Sequence, residues 1–459
     1  MAEGLKIEDL RPYGDYKPAG LGWLGDVPKH WDIAPLGALT RLKSVVNQPD
    51  RQLLSVYLQR GVVRFSDVNE KRTNATSEDL SNYQAVEPGD FVLNNQQAWR
   101  GSVGVSQLYG IVSPAYLVIK LSNRFSSNYA NQLLRDRNMV AQYLISSKGV
   151  GTIQRNLYWP HLKRNIVLVP PIDEQNAIVR FLGWSTSRLD RAIRAKRKVI
   201  ALLNEQKQAI IHRAVTLGLD SSVALKPTGI PWLGEIPKHW EVIPARYLFR
   251  AVTRRDIRGD EPKMSVTQRH GLVPTAEMEE NSTQAQSYDR FQLCHPDDLV
   301  LNKYKAHLGV FWASVRRGLI TPNYTVFKPT QRAASKYFEH LFHTQTYRDA
   351  FSMVVYGVIQ GMCPLYTQDF YRIPCLCPSK EEQVRIVDAL VNMTKSEDIA
   401  ITRLEREIDL LYEYRTRLVS DVVTGKLDAR EAALNLPDEA SVEAAEDVDA
   451  GLDEGEFEE

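Results

Sequence analysis

The segment GWLGDVPKHWDIAPL, residues 22–36, returns as PWLGEIPKHWEVIPA at residues 231–245. Trp23 and Trp232 lie at the same place in the two copies, 209 residues apart. A period this long far exceeds the roughly 20 to 50 residues of a solenoid unit, so each copy must belong to a folded half. The sequence therefore predicts one structural unit that is used twice.

The repeat continues through the body of each half. VEPGDFVLNNQQAWRG (86–101) returns as CHPDDLVLNKYKAHLG (294–309) at a spacing of 208 residues. The same offset relates Tyr158 to Tyr366 and the Glu-Gln pair at 174–175 to the pair at 382–383. We therefore expect a pseudo-dimer within one chain, covering about residues 21–220 and 230–428, which could present two similar surfaces to a bipartite target.

Each half begins with short apolar runs that Gly, Pro and Asn interrupt, a pattern typical of β-strands. Examples are GDFVLN (89–94), YLVIKL (116–121) and IVLVP (166–170). The pattern predicts a mixed α/β domain of about 150 residues in each half.

Each half ends in a long segment that lacks proline after its first residues and is predicted to be a helix. Pro171 suits the first turn of the first helix, and Ser379 with Glu382 has capping-box spacing at the start of the second. Gly218 and Gly425 mark the expected ends.

Both helical segments carry a heptad pattern, with eight of eleven core positions apolar over about five heptads. This pattern predicts a coiled-coil seam between the two helices. A span of 36 helical residues measures roughly 54 Å, longer than the roughly 34 Å of one DNA turn, so the helices could act as a ruler. A purely structural brace remains the alternative. The predicted seam residues are Leu182, Leu189, Ile193, Ile200, Leu203, Ile210, Leu390, Ile401, Leu404, Ile408, Leu411 and Leu418.

The charge of the chain is segregated. The 459 residues have a formal net charge of +1, yet residues 438–459 hold eleven Asp or Glu and no Lys or Arg. Without those eleven, 45 acidic residues face 57 basic ones, a charge of +12. A basic body suits a polyanionic partner, although charge alone leaves DNA binding at even odds. The acidic end is expected to be disordered.

The composition excludes several other classes. Four cysteines lie in the second half without a CxxC pair or a histidine at zinc-ligand spacing, so neither disulfides nor a metal site is expected. The N-terminal residues lack a signal-peptide pattern, and no apolar stretch reaches the length of a membrane helix. A cytoplasmic location is therefore expected.

Motifs for catalysis are also missing. SPAY (113–116) and TPNY (321–324) lack the Pro-Pro pair of an adenine methyltransferase loop. GSVGVS (101–106) and GKL (425–427) lack the contexts of a dinucleotide site and a phosphate loop. His30 and His239 repeat within PKHW without a nucleophile motif, so we expect them to be structural.

Residues that could read DNA are expected in polar loops, because Arg and Lys suit guanine, and Asn and Gln suit adenine. The two central loops share a framing Asn and Gly and differ between them, as two readers of different half-sites would. Ordinary loop divergence is an equally good explanation. The candidates are Gln59, Arg60, Gln96, Gln97, Trp99, Arg100, Gln154, Arg155, Gln268, Arg269, His270, Lys303, Tyr304, Lys305 and His307.

The doubled order of these motifs resembles the specificity subunit of type I restriction-modification systems. WLGxxPKHW opens each half, PPIDEQ or PSKEEQ opens each long helix, and VTLGLD or VVTGKLD closes it. Any one motif is weak, whereas the ordered set occurs twice and covers about residues 20–430.

The resemblance implies an α+β fold in which two similar mixed α/β target-recognition domains are joined by two long antiparallel coiled-coil helices, with pseudo-twofold internal repetition. It implies double-stranded DNA as ligand, with one domain reading each half of a split sequence and the helices setting the gap. The domains expected are 1–170 and 226–378 for recognition, 171–220 and 379–430 for the spacer helices, and 431–459 for the acidic tail.

The resemblance also implies a non-catalytic role in DNA methylation and phage defence. Such subunits assemble with two methyltransferase subunits and two translocase and nuclease subunits. S-adenosylmethionine, ATP and magnesium would then belong to those partners, and this chain would bind no cofactor. The first helix departs from a uniform pattern, with nine Lys or Arg against two acidic residues from Arg180 to Arg213. A stand-alone DNA-binding scaffold and, more distantly, a DNA-modifying enzyme remain alternatives.

Overall fold

The computed structural model describes residues 10–20, 24–58, 60–68, 79–150, 154–255, 261–268, 270–277, 291–355 and 364–437. The chain divides into two compact units, Met1–Ala195 with Glu407–Glu459 and Lys196–Arg406. Each unit therefore takes a portion of both long helices, whereas the predicted domain limits follow the order of the chain.

Before its first long helix, the first unit contains fourteen strands and three short α-helices among its described residues. The strands are β1 Tyr16–Pro18, β2 Asp26–Pro28, β3 Asp32–Pro35, β4 Thr40–Lys43, β5 Leu54–Tyr57, β6 Gly61–Arg64, β7 Gln84–Val86, β8 Asp90–Asn94, β9 Val103–Val105, β10 Gly110–Val112, β11 Tyr116–Leu121, β12 Ser147–Val150, β13 Gln154–Leu157 and β14 Ile166–Val169. The helices are α1 Ser127–Arg135, α2 Arg137–Ile145 and α3 Trp159–Leu162.

The centre of the first unit is an antiparallel sheet with strand order β4-β11-β8-β9. Phe91 and Leu93 of β8 join the main core with α1 and α2, while Val92 joins a smaller cluster with Val56 of β5. Because both faces of this strand are covered, its sequence is continuously apolar rather than alternating. The three predicted strand segments are confirmed as β8, β11 and β14.

The first long helix, α4, runs from Ile172 to Leu217 without interruption. Asp173 and Glu174 lie in its first turn, where negative charge is favourable. Pro171, which was expected in the first turn, immediately precedes it. Gly218 follows its last residue with a φ of 78° and confirms the predicted stop.

The second unit repeats the construction of the first. Its strands are β15 Leu225–Pro227, β16 Glu235–Pro237, β17 Glu241–Pro244, β18 Phe249–Val252, β19 Met264–Val266, β20 Leu272–Pro274, β21 Gln292–Cys294, β22 Leu299–Asn302, β23 Phe311–Ala313, β24 Gly318–Ile320, β25 Tyr324–Pro329 and β26 Pro374–Cys377. Its short helices are α5 Ser335–Phe342, α6 Gln345–Val354 and α7 Thr367–Phe370. The central sheet has the order β18-β25-β22-β23, which matches the first unit strand for strand.

Aromatic residues fill the core of the second unit. Phe327 and Phe370 have ring centroids 4.5 Å apart, and Phe249 meets Phe338 edge-on at 5.2 Å. The positions equivalent to Phe327 and Phe370 in the first unit hold aliphatic residues, also fully buried. The two units therefore keep one backbone plan with different core packing, which cores tolerate when volume and patterning are kept.

The second long helix differs from its prediction, because it consists of two helices, α8 Lys380–Met393 and α9 Lys395–Val423. Thr394 separates them with φ −103° and ψ 0°. The Thr394 hydroxyl donates to the carbonyl of Leu390 at 3.0 Å, a bond that competes with regular helix geometry. The predicted cap is confirmed, since the Ser379 side chain accepts the amide of Glu382.

A last helix, α10 Arg430–Leu434, follows α9. Ala432, Ala433 and Leu436 are buried in the core cluster of the first unit. The acidic tail therefore does not begin at residue 431 as predicted, because apolar side chains up to Leu436 pack into the core of the first unit. Residues 438–459, which carry the acidic charge, lie outside the described residues.

Each unit packs its mixed α/β domain against the end of the helix from the other half of the repeat. In the first unit the Tyr129 hydroxyl donates to the carbonyl of Val423, at the end of α9. In the second unit the equivalent Tyr337 donates to Val215, near the end of α4. The repeat is thus intertwined rather than arranged as two successive halves.

Candidate nucleic-acid interface

A cationic and aromatic surface covers the loop between β8 and β9 of the first unit. Trp99 is bracketed by two guanidinium groups, with Arg100 Cζ 4.7 Å and Arg155 Cζ 5.8 Å from its ring centroid. The Trp99 indole N–H donates to the carbonyl of Gln96 at 3.0 Å. Gln96 and Arg100 are exposed, and Gln97 is half-buried. Cation–π contacts of this kind orient the arginines without neutralising their charge.

The β12–β13 hairpin extends this surface. The amide of Leu157 donates to the carbonyl of Asn95 at 3.0 Å, which ties the hairpin to the loop. Lys148 Nζ lies 4.4 Å from the ring centroid of the exposed Tyr158. The hairpin therefore brings Arg155, predicted from a distant part of the sequence, next to Trp99. Gln154 belongs to β13, and its side chain lies outside the described residues.

The equivalent loop of the second unit forms a short 3-10 helix, Lys303–Leu308. Lys305 is exposed, Tyr304 is half-buried, and Lys303 Nζ donates to the carbonyl of Pro322 at 3.2 Å. His307 is less suited to read DNA, because its Nδ1 atom is buried without a hydrogen-bond partner among the described residues. The amide of Leu365 donates to the carbonyl of Lys303, which repeats the tie of the first unit.

The framing residues of both loops have local structural tasks. The Asn94 side chain accepts the amide of Gln96 at 3.1 Å, and Asn302 accepts that of Tyr304 at 3.2 Å, so each makes an Asx turn. Gly101 and Gly309 close the loops with positive φ, which favours glycine. The Asn and Gly residues that both loops share are therefore required by the turns. The exposed residues between that Asn and that Gly are the ones that could contact a ligand.

Other candidates lie on two further hairpins. Arg60 is exposed in the turn between β5 and β6, and Gln268 and His270 are exposed between β19 and β20. Gln59 and Arg269 fall outside the described residues. Direct side-chain contacts bring the predicted residues Trp99, Arg100 and Arg155 together in one cluster.

Two residues of the cationic surface, Lys148 and Tyr158, were not among the candidates selected from the sequence. A pattern that could have identified them is the basic residue before, and the tyrosine after, the TIQRN segment (152–156). The pairing becomes visible only when the hairpin places Ser147 opposite Leu157.

The repeated PKHW and Glu-Gln motifs form one junction. Glu174 accepts the Trp31 indole N–H at 2.9 Å and the Tyr13 hydroxyl at 2.5 Å, and its other oxygen lies 2.7 Å from His30 Nε2. Burial and the bond to Glu174 raise the pKa of Tyr13, so this hydroxyl remains a donor. The histidine therefore orients a buried carboxylate.

The second unit repeats this junction. Glu382 accepts the Trp240 indole N–H at 3.1 Å and lies 3.0 Å from His239 Nε2. Gln383 donates to the carbonyls of Arg332 and Pro378, as Gln175 does to Arg124 and Pro170. Both motifs anchor the start of a long helix to the start of the mixed α/β domain that precedes it in the chain.

The twelve predicted seam residues are all buried or half-buried. An ion pair joins the two long helices in each unit. Asp190 meets Arg415 at 2.8 Å in the first, and Lys207 meets Asp398 at 2.5 Å in the second. These two pairs occupy equivalent positions of the repeat. In the second unit Gln206 also donates to the buried Glu397 at 3.2 Å.

Metal clusters, reactive cysteines and membrane-spanning helices are the other features considered for the described residues. No cluster of His, Cys, Asp and Glu that could hold a metal occurs in the described part of the chain. Cys294, Cys375 and Cys377 are buried free thiols. None of the described helices is long and apolar enough to cross a membrane.

Comparison with known proteins assigns the fold. No family model matches the sequence. A chain from a structure of the assembly and conformational transition of the type I restriction-modification (R-M) system matches over 87% of this chain and 99% of its own length, with a TM-score of 0.57 and 13% identity.

Two further structures are similar over most of their length. The HsdS subunit from Thermoanaerobacter tengcongensis has 14% identity and a TM-score of 0.42, covering 87% of this chain and 98% of its own. The type I R-M S subunit from M. genitalium has 12% identity and a TM-score of 0.31, covering 86% and 96%. The fold is assigned from the first of these structures, which has the TM-score of 0.57. The chain therefore has the fold of a chain of a type I restriction-modification system, as its doubled motifs led us to expect.

Proposed function

We propose that this chain is the specificity subunit of a type I restriction-modification complex and reads double-stranded DNA. The observation that carries the proposal is the pair of exposed loops, 95–100 and 303–308, built on the same Asn and Gly frame and filled with different polar, basic and aromatic residues. Such residues supply base-edge and phosphate contacts.

The charge of the surface supports DNA as the ligand. Arg100 and Lys148 stack on aromatic rings and make no ion pair with any described residue, so their charges are available to DNA, whether to a base edge or to a phosphate. Release of counterions by such groups supplies much of the affinity of DNA-binding proteins. A catalytic carboxylate or metal cluster is not needed for this task.

We further propose that the target is bipartite, with one recognition domain reading each half and the helix pair setting the gap. The duplicated units and the continuous α4 support this view. The partners would be two methyltransferase subunits and two translocase and nuclease subunits in the cytoplasm. S-adenosylmethionine, ATP and magnesium would be bound by those partners, and this chain alone would not methylate DNA.

A selection experiment tests DNA reading directly. The chain, co-purified with its methyltransferase, is incubated with a pool of random duplexes, and the bound fraction is sequenced. Enrichment of two short motifs at a fixed separation is expected. Recovery of no motif, or of one uninterrupted motif, would refute bipartite reading.

A second experiment separates this function from its alternatives. Co-expression with a type I methyltransferase subunit from the same organism should yield a stable complex, whereas a stand-alone scaffold would purify without one. Incubation of the isolated chain with labelled S-adenosylmethionine and DNA should transfer no label. Transfer by the chain alone would make it an enzyme.

A further inference from the structure

Tyr158 and Tyr366 occupy the same position in the two units, and neither side chain caps the helix that it precedes. Each is the residue immediately before a one-turn helix, α3 or α7, and its carbonyl accepts the first amides of that helix. Neither side chain makes a capping hydrogen bond. Ser, Thr, Asp and Asn are the residues that stabilise this position, so tyrosine gives the helix no such support.

Packing accounts for little of these two positions, since the only ring–ring contact of Tyr158 among the described residues is an edge-on one with the exposed His161, at 4.9 Å between ring centroids. The side chains are exposed, at 43% for Tyr158 and 58% for Tyr366, although both neighbouring leucines, Leu157 and Leu365, are buried. Neither ring belongs to a core cluster. Both units therefore have an exposed tyrosine where local structure would favour another residue. This indicates that the two tyrosines contact a ligand rather than stabilise the fold.

A basic residue follows the one-turn helix behind each tyrosine. Lys148 stacks on the Tyr158 ring, and the exposed Arg164 follows α3. The exposed Arg372 follows α7 at the equivalent position, where its Nη1 atom lies 3.8 Å from Asp369 Oδ1. Each tyrosine is also one residue away from the tie to a candidate reading loop. A phenol beside cationic groups is suited to donate a hydrogen bond to an anionic oxygen.

We propose that Tyr158 and Tyr366 are equivalent contacts to the DNA phosphate backbone, an inference that rests on the proposed function. The reading loops differ between the units because the bases they meet differ. The tyrosines are the same because phosphates are the same at every base pair. They set the position of each domain on the duplex without contributing to sequence choice.

The test compares Tyr158→Phe, Tyr366→Phe and the double variant with the parent chain, each co-purified with its methyltransferase. Phenylalanine keeps the ring and the stacking of Lys148 and removes only the hydroxyl. Tyr109→Phe and Tyr247→Phe are matched controls, because these tyrosines are exposed and their equivalents in the other unit are not tyrosine. Affinity is measured by fluorescence anisotropy on a duplex containing the selected motif and on a duplex of arbitrary sequence.

Each single variant is expected to lose about threefold in affinity, and the double variant about tenfold, on both duplexes. The ratio between the duplexes should not change. The salt dependence of binding should keep its slope because no charge is removed, whereas Lys148→Ala should lower the slope by about 1. The control variants should bind like the parent chain.

Four results would overturn the inference. The double variant could bind like the parent, the loss could be confined to the motif duplex, the controls could lose as much affinity, or the variants could lose the methyltransferase instead of DNA affinity. The last result would assign the tyrosines to subunit docking. A parent complex that binds neither duplex would refute the proposed function itself.

Discussion

Arg100 is placed by its contact with Trp99 and presents an exposed guanidinium group from the reading loop of the first unit. We expect Arg100→Ala to weaken binding to the cognate duplex by about 1–3 kcal/mol, the range for one specific base contact. Binding to a duplex of arbitrary sequence should change much less. Titration of both duplexes at one fixed salt concentration measures the difference.

Lys305 allows the same experiment in the second unit. Lys305→Ala should weaken cognate binding by a similar amount while the complex with the methyltransferase stays intact. Arg11→Ala and Lys238→Ala are the controls, since these exposed residues belong to the junctions at the domain starts, where the backbone carbonyl of Arg11 accepts the amide of Asp428 and the amide of Lys238 donates to the carbonyl of Ala224. Unchanged cognate affinity would remove the substituted residue from the reading surface.

His340 and His343 make the second unit sensitive to acid. Burial, helped by the positive charge of Lys336, lowers the pKa of His340 to about 3 and that of His343 to about 4. Above pH 6.5 both histidines are neutral in the folded and unfolded chain and have no effect. Below pH 6.5 the unfolded chain binds protons that the folded unit excludes, so stability falls until the folded pKa is reached.

The first unit has Gln132 and Arg135 at the equivalent positions. Lowering the pH from 7 to about 5 should therefore cost the second unit up to about 2 kcal/mol for each histidine. His340→Gln, which copies Gln132, should remove about half of this loss. Urea unfolding at both pH values measures it, and an unchanged pH dependence in the variant would contradict the assignment to His340.

The candidate site could be predicted only in part. Loop position and residue type were sufficient to select Trp99, Arg100 and Arg155 from the sequence. Their assembly into one surface depends on the Leu157–Asn95 backbone bond, which joins segments about 60 residues apart and leaves no local pattern. His307 was selected by the same reasoning, yet one ring nitrogen is buried, because residue type in a loop does not specify side-chain direction.

Two glycines close the long helices and differ in their surroundings. A Cβ atom at Gly425 would lie 2.5 Å from Pro28 Cδ and 3.0 Å from the Trp31 ring, whereas at Gly218 the nearest atom, in Trp240, would be 3.3 Å away. Both have positive φ, which costs other residues about 1–2 kcal/mol. Gly218→Ala should therefore lose about that amount.

Gly425→Ala should lose about 1–3 kcal/mol more, because Pro28 and Trp31 would have to shift. Chemical denaturation of the two variants under identical conditions provides the comparison, with each variant serving as the control for the other. Equal losses would indicate that the contact at Pro28 relaxes freely.

The break between α8 and α9 had a sequence signal that the heptad pattern masked. Thr394 and Glu397 have the spacing of a capping box, a signature of a helix start. In α4 the equivalent Thr186 also bonds back to the preceding turn, but Leu189 replaces the glutamate and the helix continues. The twelve seam residues that the heptad pattern selected are all buried or half-buried despite the break. This is because hydrophobic periodicity indicates which face of a helix is buried, and one interrupted turn hardly changes it.

Exchange of one recognition domain tests independence at the scale of the whole molecule. Replacing residues 226–378 with the corresponding domain of a related specificity subunit should change one half of the recognised sequence and leave the other half and the gap unchanged. The recovered motif of the hybrid is compared with that of both parents. A change in both halves would show that the domains do not read independently.

The repeat made the fold predictable, because each half confirmed the boundaries of the other through the 208-residue offset. It could not predict that Tyr129 contacts Val423 and Tyr337 contacts Val215. Nothing local distinguishes a helix that packs on its own domain from one that packs on its repeat partner. That choice depends on tertiary packing between segments that are 294 residues apart in the first unit and 122 in the second.

The most direct test of the central claim is genome-wide mapping of methyladenine in cells that carry this chain with its methyltransferase and in cells that lack only this chain. The account predicts a two-part motif with a fixed gap that is methylated in the first cells and unmethylated in the second. Identical methylation in both would contradict it, and the chain would then be a DNA-binding scaffold rather than the subunit that specifies the target.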